Sequence, residues 1–224
     1  MSPEPVDVAF SFLVSGPDYS LRLPVDFGAL PDLEVPIANG IGSRTFVFVP
    51  SQREPTLGTE NSFVQELEGT EGRTVELWES NESPLQWWLR WSLANGAIHT
   101  HVREYDTMQM AETTAASVTI ADRGPTTAPV LLLSPPLAYS VSRAPGYGEV
   151  AIFYSTVRGR SVALQRPSFL AEGTIMEAPP SLVDENTVLI AGAADDIEVK
   201  VTSPDDKASA LDILEPVLES LANS

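Results

Sequence analysis

The chain has 224 residues, of which 43% are hydrophobic and 20% are charged, and this composition is typical of a folded protein that buries a core. It has no cysteine, so disulfides, thiolate metal sites and cysteine nucleophiles are excluded. The excess of 31 acidic residues over 13 Lys and Arg gives a formal charge of −18, which disfavours nucleic acid as a partner and favours basic partners or simple solubility.

The N-terminal segment MSPEPVDVAFSFLVSG has neither a basic region nor a long apolar run, so it predicts no secretory signal. No apolar run approaches the length of roughly 20 residues that a membrane helix needs. We therefore expect a soluble protein that has no membrane partner. Its expected location is the cytoplasm, or a particle assembled in the cytoplasm.

Short runs in which apolar and polar residues alternate recur along the chain and predict β-strands. Residues 54–72 contain five glutamates with little periodicity, and we expect a solvated loop there. Strands this short and this frequent predict a mainly β fold, an antiparallel sandwich or barrel built from hairpins. The strand candidates in chain order are the runs within 6–14 and 21–27, then Thr45–Val49, Thr74–Trp78, Ser117–Ile120, Val130–Leu133 and Tyr139–Ser142.

Asn95-Gly96 is the strongest hairpin signal in the sequence, because both central residues of a type I′ turn need positive φ. A two-residue loop at this position places Trp91 opposite Thr100 and Arg90 opposite His101.

Two further hairpins are predicted downstream. An Arg158-Gly159 loop would place Phe153 opposite Leu164, and Asp195-Asp196 is typical of another turn.

The C-terminal segment predicts an α-helix over 204–222 that packs on the sheet. Ser203 and Asp206 are spaced as a capping box, and Pro216 predicts a kink or a break in the helix. The apolar face consists of leucines at helical spacing, Leu211, Leu214, Leu218 and Leu221. We expect a single domain over 1–224, with a possible division into two lobes near 123–136.

The densest stretch, LQWWLRWSLANGAIHTHVREYD (85–106), contains three of the four tryptophans and both histidines. In the predicted hairpin Trp87 and Trp91 lie on the apolar face with the leucines. The opposite, polar face carries the candidate ligand-binding or interface residues, which are Trp88, Arg90, His99, His101 and Arg103. Trp88 beside Arg103 predicts either a cation–π contact or an anchor of an interface.

His99 and His101 lie on the same side of one strand and could share a metal ion. Such a site would need carboxylates from elsewhere, because the sequence has no third histidine and no cysteine. We therefore assign no metal ligand, no catalytic residue and no cofactor.

These observations favour a non-enzymatic interaction or assembly protein, such as a structural component of a larger particle or complex. The expected partner is a protein or a second copy of the chain. Two alternatives stay open. One is a β-sheet module that binds a ligand or carbohydrate on its aromatic rings, and the other is a metal-dependent enzyme that uses the His-Thr-His strand.

Overall fold

The computed structural model describes residues 5–14, 18–39, 42–52, 61–82, 86–102, 108–134, 148–178, 187–204 and 206–223. Within these ranges the chain forms fifteen β-strands and two α-helices. The first two elements are β1 (Pro5–Phe10) and β2 (Tyr19–Pro24). They are followed by β3 (Asp32–Asn39), β4 (Gly42–Pro50), β5 (Asn61–Glu68), β6 (Thr74–Ser80), β7 (Trp87–Leu93), β8 (Gly96–Val102), α1 (Met108–Ser117), β9 (Val118–Ala121) and β10 (Val130–Leu133). The remaining elements are β11 (Glu149–Tyr154), β12 (Ser161–Arg166), β13 (Ile175–Glu177), β14 (Val188–Ala194), β15 (Ile197–Ser203) and α2 (Lys207–Ala222).

The chain divides into two compact units. The terminal unit combines residues 1–12, 16–31 and 143–224, and the central unit combines residues 13–15 and 32–142. The expectation of a single domain, with a possible division near 123–136, stays a prediction.

The terminal unit contains five strands in the order β13-β14-β15-β12-β11 and a separate β1–β2 hairpin, all with antiparallel pairing. Helix α2 packs against β2, β14 and β15. Phe10 of the hairpin meets Phe153 of β11 edge to face, with ring centroids 5.7 Å apart. The apolar sides of helix, hairpin and sheet therefore share one core.

The C-terminal helix forms as predicted, but its start and its buried face differ from the prediction. Asp206 is the N-cap and its side chain accepts a hydrogen bond from the amide of Ser209, whereas Ser203 is the buried last residue of β15. The helix continues through Pro216, so of the predicted kink or break the break does not occur. The fully buried positions are Ala210, Ile213, Leu214, Val217 and Leu221, so the face is centred on Leu214 while the two other predicted leucines are only partly buried.

The central unit contains six strands in the order β3-β4-β8-β7-β6-β5. One face of this sheet is apolar because β-branched, aromatic and leucine side chains alternate with polar ones along its inner strands. Phe46 and Trp91 meet on this face with ring centroids 6.0 Å apart, and both are completely buried. Other residues of this buried face are Leu33, Val35, Phe48, Val75, Leu77, Leu89, Ile98 and Val102.

One prediction for the central unit is wrong, and one of its elements was not predicted. Residues 61–68 form β5 instead of a loop, and alternation fails to reveal this strand because it is an edge strand with six exposed residues out of eight. Helix α1 was not predicted, because it buries small residues such as Ala111 and Ala115 and lacks the leucine stripe of an amphipathic helix. The candidate strand Tyr139–Ser142 lies outside the described residues.

The predicted mainly β fold, built from antiparallel hairpins with a C-terminal helix packed on the sheet, is confirmed. Within the described ranges, neither the five strands of the terminal unit nor the six strands of the central unit close into a barrel. None of the helices in the described ranges is long and apolar enough to span a bilayer.

Candidate functional site

The hairpin of the tryptophan-rich segment has the predicted faces and a different register. Its loop is Ala94-Asn95, so Trp91 lies opposite Ile98 instead of Thr100. Arg90 consequently faces His99 instead of His101. The register error is two residues, and since side chains alternate with a period of two, every residue keeps its predicted side of the sheet.

Gly96 is needed because the backbone of a neighbouring strand lies close to it. This reason is different from the positive φ of a type I′ turn, which the sequence suggests. Gly96 lies within β8, where a Cβ atom would come 2.2 Å from the carbonyl oxygen of Val49. The Asn95 side chain is buried and donates hydrogen bonds to the carbonyl oxygens of Gly124 and Thr127, at 3.1 and 2.7 Å. Both residues are therefore selected by tertiary contacts.

The hairpin predicted at Arg158-Gly159 also has a register error of two residues, whereas the turn predicted at Asp195-Asp196 is confirmed. Phe153 lies opposite Val162, two residues from the predicted Leu164. Asp195 and Asp196, with φ of 49° and 60°, form the two-residue turn between β14 and β15.

A row of aromatic side chains crosses the outer face of the central sheet. Phe63 of β5 lies opposite Trp78 of β6, Trp78 lies opposite Trp88 of β7, and Trp88 lies opposite His101 of β8. We call these four residues the aromatic row. Phe63 meets Trp78 edge to face at 5.6 Å, and Trp88 meets His101 at 4.6 Å with their planes tilted by 34°. The row brings together one aromatic side chain from each of four neighbouring strands.

A second row of charged and polar side chains runs beside the aromatic row on the same face. Glu66 of β5 lies opposite Glu76 of β6, Glu76 lies opposite Arg90 of β7, and Arg90 lies opposite His99 of β8. We call these four residues the charged row. Its carboxylates outnumber its one guanidinium, so the row adds to the negative charge of the chain.

Glu76 connects the two rows. Its carboxylate accepts hydrogen bonds from the Trp78 indole at 2.9 Å and from the Arg90 guanidinium at 2.9 Å, and Ser92 donates a longer bond of 3.3 Å. Partial burial would raise the pKa of Glu76, but the hydrogen bonds from Trp78, Arg90 and Ser92 and the positive charge of Arg90 outweigh it and lower that pKa. An ionised Glu76 therefore holds the indole of Trp78 in one orientation.

The structure brings four of the five candidate residues together on one face, because Trp88 and His101 belong to the aromatic row and Arg90 and His99 to the charged row. His99 is buried, with 6% exposure, although the sequence places it on the polar face. Arg103, the proposed cation–π partner of Trp88, lies outside the described residues. The ring that Trp88 contacts is His101.

Sequence reasoning missed three important members of the site, Phe63, Trp78 and Glu76. The alternation in Thr74–Trp78, with Val75 and Leu77 inward, could have placed Glu76 and Trp78 on the outer face. Nothing local could have placed Phe63 beside Trp78, because that neighbour relation depends on how β5 pairs with β6.

The site offers stacking surfaces and hydrogen-bonding groups. In the described part of the chain no three His, Asp or Glu side chains are grouped so that they could hold a metal ion. Compared with protein-family models and with curated proteins, the chain matches no family model and no curated sequence.

Proposed function

We propose that the chain is a non-enzymatic interaction protein that binds a protein partner on the outer face of its central sheet. The observation that carries the proposal is the aromatic row. Phe63 is 51% exposed, its neighbour Val64 is 43% exposed, and Trp78 and Trp88 beside them are partly exposed. Large aromatic side chains that cluster on a surface supply much of the binding energy in protein interfaces.

The row is also held in place before a partner arrives. The hydrogen bond from Trp78 to Glu76 and the ring contact of Trp88 with His101 fix two of the rings. Ordering a side chain on binding costs about 0.5–1.5 kcal/mol, so rings that are already fixed bind more tightly than mobile ones. This rigidity supports a lasting interaction, such as that of a structural component within a larger particle or complex.

The proposal is tested by the size of the native complex that contains the chain. Sedimentation of extracts from the cells that make the protein should show the wild type in a species heavier than the monomer. Phe63→Ser should return it to the monomer. Phe169→Ser is the matched control, because Phe169 is 45% exposed and lies in the terminal unit. A monomeric wild type, or equal behaviour of the two variants, would refute the proposal.

A carbohydrate ligand is the second candidate, and the placement of Trp78 and Trp88 favours it. The two indoles come from facing positions on an open sheet, and the hydrogen-bonding groups of Glu76 and Arg90 lie in the neighbouring row. Sugar rings stack on aromatic faces and hydrogen bond with such groups. Titration of a panel of oligosaccharides, followed by tryptophan fluorescence, tests this candidate. Saturable binding that Trp78→Ala removes would favour it over a protein partner.

A further inference from the structure

We propose that the partner is a basic, extended protein segment that adds to the central sheet as a new strand along β5. This inference rests on the proposed function, specifies the chemistry of the partner, and places its contact with the outer face at the β5 end of the aromatic row, beside Phe63. Strand β5 is the last strand in the sheet order, and among the described residues it pairs only with β6. An edge strand presents backbone N–H and C=O groups that a peptide can pair with.

The side chains of β5 are suited to a partner that covers them. The pairing with β6 shifts between Phe63 and Gln65, which marks a β-bulge at Val64. The bulge interrupts the alternation of sides, and two consecutive apolar residues are exposed as a result. An added strand at this edge would lie beside both side chains and remove them from water.

Charge selects a basic segment from the possible occupants. Glu66 and Glu68 are exposed on β5, and the sequence of this strand (NSFVQELE) contains no cation. A second copy would bring two such strands together and add another formal charge of −18, so charge repulsion opposes self-pairing. Arginine in a partner strand would reach these carboxylates and could also stack on the ring of Phe63.

The experiment titrates the full chain with a synthetic peptide of alternating arginine and valine, eight residues long to match β5. Binding is measured by calorimetry. One control peptide carries glutamate in place of arginine. Another keeps the arginines but is N-methylated at every residue, so that it retains its charge and cannot donate backbone hydrogen bonds to β5. We expect the first peptide to bind, the glutamate peptide not to bind, and the N-methylated peptide to bind more than about tenfold more weakly.

Two double variants separate a local site from diffuse attraction to an acidic chain. Glu66→Gln/Glu68→Gln should weaken binding of the arginine peptide about three- to tenfold. Glu215→Gln/Glu219→Gln removes two exposed carboxylates from α2 and should leave binding unchanged. Equal weakening by both pairs, or equal binding of the N-methylated peptide, overturns the inference.

Failure of this inference and failure of the proposed function have different outcomes. If Phe63→Ser releases the native partner while the arginine peptide does not bind, the interaction function stands and the basic strand is wrong. If the purified wild type forms dimers that Phe63→Ser dissociates, the occupant is a second copy and the inference is also overturned.

Discussion

Trp88 and His101 lie directly opposite each other on β7 and β8, and their rings are in contact, with centroids 4.6 Å apart and planes tilted by 34°. Aromatic pairs in such contact contribute about 0.5–1.5 kcal/mol beyond the area that they bury. The contact fixes the ring of Trp88 in the aromatic row. The position of this ring on the proposed binding surface therefore depends on how β7 pairs with β8.

The contribution of this ring pair can be measured with a double-mutant cycle. We expect Trp88→Ala and His101→Ala to be coupled by about 0.5–1.5 kcal/mol in the free energy of unfolding measured in urea. The control cycle combines Trp88→Ala with His99→Ala, since His99 lies opposite Arg90 in the neighbouring row. A coupling as large in the control cycle would show that the ring contact is not its source.

Glu149 and Arg166 form a buried ion pair in the terminal unit. The Glu149 side chain has no exposed surface, and its carboxylate lies 2.7 Å from the Arg166 guanidinium, which also donates to the Tyr19 hydroxyl. Glu149→Gln should lower the free energy of unfolding by about 3 kcal/mol, because it leaves the guanidinium without its counter-charge. Asp7→Asn breaks an exposed pair with Arg22 at 3.7 Å and should change stability by less than about 0.5 kcal/mol. Similar effects of the two variants in chemical denaturation would contradict this prediction.

Gly192 of β14 permits close packing of α2 on the sheet. A Cβ atom at this position would lie 2.8 Å from a terminal carbon of Leu218 and 3.4 Å from the carbonyl oxygen of Thr174. We expect Gly192→Val to destabilise the protein by about 1–3 kcal/mol through overpacking. Adding Leu218→Ala should make space for the valine, so the double variant should be more stable than the sum of the single changes predicts. If the effects of the two single changes on stability in thermal denaturation simply add in the double variant, a steric conflict between the introduced valine and Leu218 is not the cause.

Leu214 is the centre of the buried face of α2 and has no exposed surface. Leu214→Ala should cost about 2–5 kcal/mol and lower the melting temperature. Glu219→Ala, on the exposed side of the same helix, should leave the melting temperature within about two degrees of the wild type. If Leu214→Ala preserves stability but abolishes association with the partner, the helix is an interaction element.

Glu76 should make stability depend on pH in acid. Its pKa is lower in the folded than in the unfolded chain, so its ionised form stabilises the fold. The contribution is complete above the ordinary glutamate pKa and is lost as the pH falls through the lower pKa of the folded state. Glu76→Gln should therefore cost about 1 kcal/mol at pH 7, and the difference from the wild type should shrink on acidification. Urea unfolding at a series of pH values measures this difference, and a gap that stays constant down to pH 3 would contradict the assignment.

Local sequence was sufficient to predict which side of the sheet each residue of β7 and β8 faces. Leu89, Trp91, Ile98 and Val102 are buried as predicted, although the register differs by two residues. Alternation has a period of two, so it determines the face and is insensitive to a shift of two.

The choice of turn was decided by the tertiary structure. Asn-Gly is the strongest local signal for a type I′ turn, yet Asn95 binds two carbonyl groups of the 124–127 loop and Gly96 avoids a clash with Val49. The positive φ values of a type I′ turn occur instead at Asp195 and Asp196. Leaving the buried amide of Asn95 unsatisfied would cost about 1–3 kcal/mol, and steric overlap at Gly96 would add to that cost, so these tertiary contacts outweigh the local turn preference.

By itself, then, the sequence determined the mainly β class, the C-terminal helix, and which residues lie on each face of the predicted β-hairpins. These features follow from the periodicity of apolar residues along a single segment. Only the tertiary structure decided that Phe63, Trp78, Trp88 and His101 form one row. The physical reason is that each neighbour relation in that row joins two different strands. Their pairing is set by the packing of the whole sheet and by close contacts such as that of Gly96 with Val49.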